Sequence, residues 1–130
     1  MDFLPLTRTD DLGWHSLRDE IAPWIGERAV TLFSYAISHE YGSAVTTRYF
    51  RDILTSAGDD PDHPQVTETE QLIIDWGRLI VCSPRDIPEA FYTRLERAFT
   101  PERRLALLSF AARVVAINLV NTVGRIPADD

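Results

Sequence analysis

The sequence predicts an all-α protein of about six helices. Three observations carry this. No stretch alternates apolar and polar residues with period two, as a half-buried strand does. Apolar residues recur instead at spacings of three and four, as in Leu72, Ile73, Trp76, Leu79 and Ile80. Helix-start signals are clear at Thr67-Glu68-Thr69-Glu70 and at Thr100-Pro101-Glu102.

Residues 1–8 read as an extended arm, because Pro5 prevents regular structure there. Thr9 or Asp10 can cap a first helix running to Ile21, amphipathic through Leu12, Leu17 and Ile21. Pro23 is expected to end that helix or restart the next, since the residue before a proline avoids the helical region. The second helix begins near Trp24 and is apolar almost all round, through Ala29, Val30, Leu32, Phe33, Tyr35, Ala36 and Ile37. Such a helix is buried. Ser38 and Gly42 weaken it, which puts a break or bend at residues 38–43.

A third helix covers residues 43–57 and uses Val45, Tyr49, Ile53 and Leu54 as its buried face. Gly58-Asp59-Asp60-Pro61-Asp62-His63-Pro64 is an acidic, proline-punctuated loop. Thr67 and Glu70 then form a capping box, the hydroxyl taking the third amide while Glu70 reaches back. That helix stops at Ser83-Pro84. Asp86-Ile87-Pro88-Glu89 repeats the capping logic and opens a short helix carrying Ala90, Phe91, Leu95 and Phe99. The last helix opens with Pro101 at the position where a missing amide hydrogen costs nothing. It stays apolar from Leu105 to Val123 until Gly124 and Pro127 end it.

A chain of 130 residues reads as a single domain over 1–130, large enough to bury a core without staples. A net charge of −7 argues against a nucleic-acid surface, which needs a basic stripe. The N-terminus lacks the basic and apolar regions of a signal peptide, and Arg113, Asn118 and Asn121 interrupt the last apolar run. These features predict a cytoplasmic protein with no membrane span. One cysteine, Cys82, excludes an internal disulfide and a Cys-x-x-Cys pair. Within Leu79-Ile80-Val81-Cys82 it is expected as a buried, inert thiol.

The last helix is so apolar that five short helices struggle to cover it, so self-association is expected. Asn118, Asn121 and Arg125 share one of its faces, where the amides can bond to loop carbonyls or a neighbouring helix end.

Two regions carry a likeness to a known superfamily. The first is Glu27-Arg28-Ala29-Val30-Thr31-Leu32 followed by His39-Glu40-Tyr41-Gly42-Ser43-Ala44. The second runs through Thr67–Leu72 and Asp86–Phe91 to Ile117-Asn118-Leu119-Val120-Asn121, with Gly124 after it. In order and spacing, across residues 24–127, the chain resembles carboxymuconolactone decarboxylases and AhpD-like alkylhydroperoxidases. The resemblance implies an AhpD-like helical bundle assembled as a homo-oligomer, usually a trimer or hexamer, with its site near a helix junction.

The peroxidases of that superfamily carry a glutamate, then a Cys-x-x-Cys pair, then a histidine. At the matching positions this chain has Glu27, His39, Gly42 and Thr46. Without a thiolate and a resolving thiol, peroxide reduction is not expected. The decarboxylase branch needs no cysteine. It implies cofactor-independent acid–base chemistry on a small lactone or carboxylate metabolite, with no metal.

In that reading Glu27 and His39 are catalytic, and Ser38, Tyr41 and Arg48 orient the substrate. Glu27 needs burial to raise its pKa towards working pH, whereas an imidazole titrates close to neutrality. On one unbroken helix the two lie about 18 Å apart, so they cooperate only across a break or a subunit boundary. Each also has a structural explanation: Glu27 favours a helix N-terminus, and His39 can bond the free carbonyls at a helix end. The alternative function is therefore a non-catalytic oligomeric binding protein of the same fold, taking a small-molecule ligand. Of the other histidines, His15 is expected half-exposed and His63 solvated. There is no histidine cluster of metal-ligand spacing, no phosphate-cradling glycine loop and no Gly-x-Ser-x-Gly elbow.

Overall fold

A computed structural model describes residues 13–125, and every regular element among them is helical. The order is α1 (Trp14–Ile25), α2 (Glu27–Tyr41), α3 (Ala44–Ser56), α4 (Glu68–Cys82), α5 (Glu89–Ala98) and α6 (Pro101–Val123). The expected arm at residues 1–8 and the Thr9 or Asp10 cap lie outside the described residues.

Helix α2 is the hub. It packs most extensively against α4, then against α3, α6 and α1. A helix apolar on most of its circumference loses least free energy when covered on every side. Phe33, fully buried at its middle, stacks on Trp76 of α4 at 6.0 Å and on Phe110 of α6 at 6.1 Å. The aromatic row continues from Phe110 to Trp14 and from Trp14 to Phe50. At Gly77 the α2 and α4 backbones come close: a Cβ there would lie 3.1 Å from both Ile37 Cγ1 and Phe33 Cδ1.

Two glycines set the ends of α2. Gly26 (φ 93°, ψ 151°) occupies a region that only glycine adopts readily, and Gly42 closes the helix at φ 89°, donating to the Ser38 carbonyl at 3.0 Å. The break after α1 therefore falls at Gly26, and Pro23 neither ends a helix nor starts one. It sits inside α1 on the exposed side. The carbonyl it leaves unpaired belongs to Asp19, which is also exposed and open to water.

The capping box of α4 is present in full, with Glu70 N donating to Thr67 Oγ1 at 3.1 Å and Thr67 N donating to Glu70 Oε1 at 2.9 Å. Thr100 Oγ1 likewise accepts from Arg103 N at the start of α6. Three expectations fail locally. Asp86 does not cap α5, whose N-cap is Pro88 without a side-chain bond. Cys82 is exposed, because it falls in the last turn of α4, beyond the buried stretch Leu72–Gly77. The buried face of α3 is Val45, Thr46, Phe50 and Leu54, which turns Ile53 outward.

Helix α6 buries Leu107, Phe110, Ala111, Val114, Ile117, Asn118 and Asn121 along one side. Its other side leaves Leu105 64% and Val123 72% exposed, with Leu108, Leu119 and Val120 between them.

Candidate functional site

Because α2 is unbroken from Glu27 to Tyr41, its two ends open on different cavities. Twelve residues at helical rise separate Glu27 from His39 by about 18 Å along the axis. Within one protomer they do not meet.

The first cavity, about 530 Å³, lies between α1, α2 and α3. Its inner wall is apolar, formed by the buried Trp14, Val30, Phe50 and Leu54. Charged and polar groups gather at the rim: His15, Arg18, Glu27, Arg28 and Asp59. Glu27 opens α2 with its side chain 65% exposed, and Arg18 Nη2 donates to its Oε2. The Arg18 guanidinium also lies over the Trp14 ring, 5.7 Å from its centroid. The burial expected of a catalytic Glu27 is not met.

Arg28 is more heavily engaged. Its Nε donates to both Asp59 oxygens, its Nη1 to Glu70 Oε1 at 2.7 Å, and its Nη2 to the Gln65 carbonyl at 2.6 Å. Bonding to Asp59 above all holds its proton more firmly than usual, against an opposing effect of burial and with Glu70 adding to the same side as Asp59. Both carboxylates at this rim, Glu27 and Asp59, thus face a guanidinium. The hydroxyls of Thr31 and Ser34 are spent on carbonyls of their own helix. The buried Trp14 Nε1–H has no partner among the described residues.

The second cavity, about 260 Å³, lies at the other end of α2, under the acidic loop. Leu32, Ala36 and Ile74 form its apolar side, and Tyr35, His39, Asp62, His63 and Arg78 supply its polar groups. His39 is exposed, with its ring 5.8 Å from that of Tyr35. Arg51 holds the loop by two bonds to Asp62, each 3.0 Å, and donates a third to Tyr35 Oη at 3.1 Å. That pairing lowers the Asp62 carboxyl below the usual range, first through the hydrogen bonds from Arg51 and then through its charge. His63 and His39 add weaker contributions of the same sign.

Ser38 lies in neither cavity. It is fully buried and accepts from Asn118 Nδ2 at 3.2 Å. Thr46 Oγ1 bonds Asn118 Oδ1 and lies 2.7 Å from Ser43 Oγ. The asparagine thus ties the end of α2, the start of α3 and α6 through hydroxyls, where loop carbonyls were one expectation. Asn121 is buried beside it in sequence, and neither of its amide atoms has a partner among the described residues. Arg125 lies past the end of α6, exposed, with φ 56°. Tyr41 is half-buried at the last position of α2, and Arg48 is exposed on α3; neither lines the two cavities.

Sequence reasoning overlooked Arg18 as the partner of Glu27 and treated His15 only as a half-exposed ring. Their spacing of three residues puts them on one face of α1, which was legible. That this face meets the start of α2 follows from the turn at Gly26, which local periodicity does not reveal. Among the described residues no group of three or more His, Cys, Asp or Glu is placed to hold a metal ion. Comparison of the chain with models of known protein families, with curated proteins and with solved structures returns no match.

Proposed function

We propose that this protein binds a small, partly apolar carboxylated metabolite in the first cavity, its carboxylate taken by Arg18. The observation that carries this reading is the exposed Glu27–Arg18 ion pair at the rim of an apolar cavity. A ligand carboxylate can replace that of Glu27 on the guanidinium, because the displaced glutamate swings into water and no charge is left buried. The apolar wall supplies the remaining affinity by burial.

A second reading is favoured by the presence of both Glu27 and His15 on this cavity. Once released from Arg18, Glu27 is a carboxylate base beside a bound substrate, and His15 is the second proton-transfer group. This is the cofactor-independent chemistry on a lactone or carboxylate that the resemblance to the decarboxylase branch implies. His39 joins it only if a neighbouring subunit brings its own copy to the cavity.

Self-association in the cytoplasm belongs to the same proposal. Helix α6 is long and apolar enough to cross a membrane, yet one of its sides is built into the core. On the other side Leu105, Ala112 and Leu119 recur every seven residues, with Leu108 between the first two. That is the spacing of a helix–helix seam, and a second copy of the same helix fits it.

Calorimetric titration with a carboxymethyl-substituted unsaturated lactone tests the binding reading. The wild type is expected to bind with micromolar to millimolar affinity, Arg18→Ala to lose at least about tenfold, and Glu27→Gln to bind more tightly because the competing carboxylate is gone. Equal affinity in wild type and Arg18→Ala overturns it. Turnover of the lactone, lost in Glu27→Gln while binding is kept, supports the second reading over simple binding.

A further inference from the structure

The second cavity has chemistry of its own. Arg78 lines it and has no hydrogen-bond or ion-pair partner among the described residues. Two of the three histidines of the chain, His39 and His63, line it as well. The one carboxylate on its wall, Asp62, is already neutralised by two hydrogen bonds from Arg51. Arg78 is thus the charged side chain of this lining that no opposite charge among the described residues neutralises.

We propose that the second cavity is an anion site for a small aromatic or short aliphatic carboxylate, distinct from the site at Arg18. The apolar side made by Leu32, Ala36 and Ile74 takes the hydrocarbon body, and Tyr35 offers a ring to pack on it. Arg78 takes the carboxylate in its planar fork, with the imidazoles of His39 and His63 beside it. A cation is disfavoured, because no carboxylate on the wall is left unpaired. Its volume of about 260 Å³ suits a single small ring.

The charged and titratable groups around the imidazoles come from every side. Tyr35 and Glu40 are on α2, Arg51 on α3, Asp60 and Asp62 on the loop, and Asp75 and Arg78 on α4. Asp60 lies 3.6 Å from His63 and Asp75 accepts from Gln71.

The histidines make the test specific. His15 borders the first cavity, whereas His39 and His63 border the second. Benzoate is titrated into the full-length protein while the imidazole carbon and nitrogen resonances of all three are followed by NMR. The His39 and His63 signals are expected to shift together and saturably. Arg78→Gln is expected to weaken the response about tenfold or more. Arg78 is exposed, so the fold is retained, and the unchanged spectrum of the buried aromatic row verifies this in the same sample. The proposal is overturned if benzoate moves neither signal, or if Arg78→Gln responds with the wild-type affinity. A response confined to His15 also overturns it while leaving the first site intact, so the two readings fail separately.

Discussion

Asn118 shows what a single buried amide does in this molecule. It bonds hydroxyls from two other helices, that of Ser38 and that of Thr46, the second of which also has Ser43 as a partner. Asn118→Ala leaves the buried Ser38 hydroxyl without that partner, while Thr46 keeps Ser43, and is expected to cost about 1–3 kcal/mol, read by urea unfolding. The combined change Ser38→Ala, Ser43→Ala, Thr46→Val, Asn118→Leu removes donors and acceptors together and is expected to recover most of the loss. Asp62 gives a prediction in pH. Its carboxyl is lowered by Arg51, so the contribution of the pair is fully present above the ordinary aspartate range and is lost as pH falls through the lowered value. Amide exchange in residues 59–66 is expected to accelerate below about pH 4, and to lose that dependence in Arg51→Met. At this scale the sequence was only half legible. Glu27 was recognisable as a polar residue at a helix start, but its partner Arg18 lies in another helix, and the pairing depends on how the chain turns at Gly26. The polar residues Ser38 and Asn118 stood out as interruptions in apolar runs. That they bond to each other follows only from the packing of α2 on α6.

The elements were more legible than their contacts. Thr67-x-x-Glu70 and Thr100-Pro101 carry their own hydrogen-bonding instructions, and both appear where expected. Thr67→Ala is expected to cost about 1 kcal/mol through loss of the cap, measured by thermal or chemical unfolding. Pro23 misled for a physical reason: its missing hydrogen bond falls on the watered side of α1, so the helix continues two residues beyond it. Gly77 tests the α2–α4 contact. Alanine there gains about 1 kcal/mol of helix propensity. Its methyl group, however, must push Phe33 and Ile37, both fully buried and without room to yield. Overpacking of that kind costs about 1–3 kcal/mol, so Gly77→Ala is expected to be net destabilising despite the better helix former. A more stable Gly77→Ala variant contradicts the close packing of these two helices.

For the whole molecule, the all-helical class followed from the absence of period two, and the buried hub from the apolarity of α2. The arrangement of cavities did not. A periodicity argument assigns a residue to a face of its own helix and says nothing of which neighbour covers that face. His39 and Glu27 therefore read as one segment in sequence and stand on two cavities in space. The exposed seam of α6 makes a prediction about assembly. If copies meet there, Leu119→Glu places a charge in the contact and is expected to reduce the molar mass seen by light scattering to that of the 14.8 kDa monomer, with helical content unchanged. The central claim, however, is that the cavity bordered by Arg18 and Glu27 holds the ligand. Its most direct test follows the His15 imidazole by NMR while the carboxymethyl lactone is titrated into wild type and Arg18→Ala. The account predicts a saturable shift of His15 in the wild type and its loss in Arg18→Ala. A His15 signal that stays still in the wild type, or that shifts equally in the variant, contradicts it.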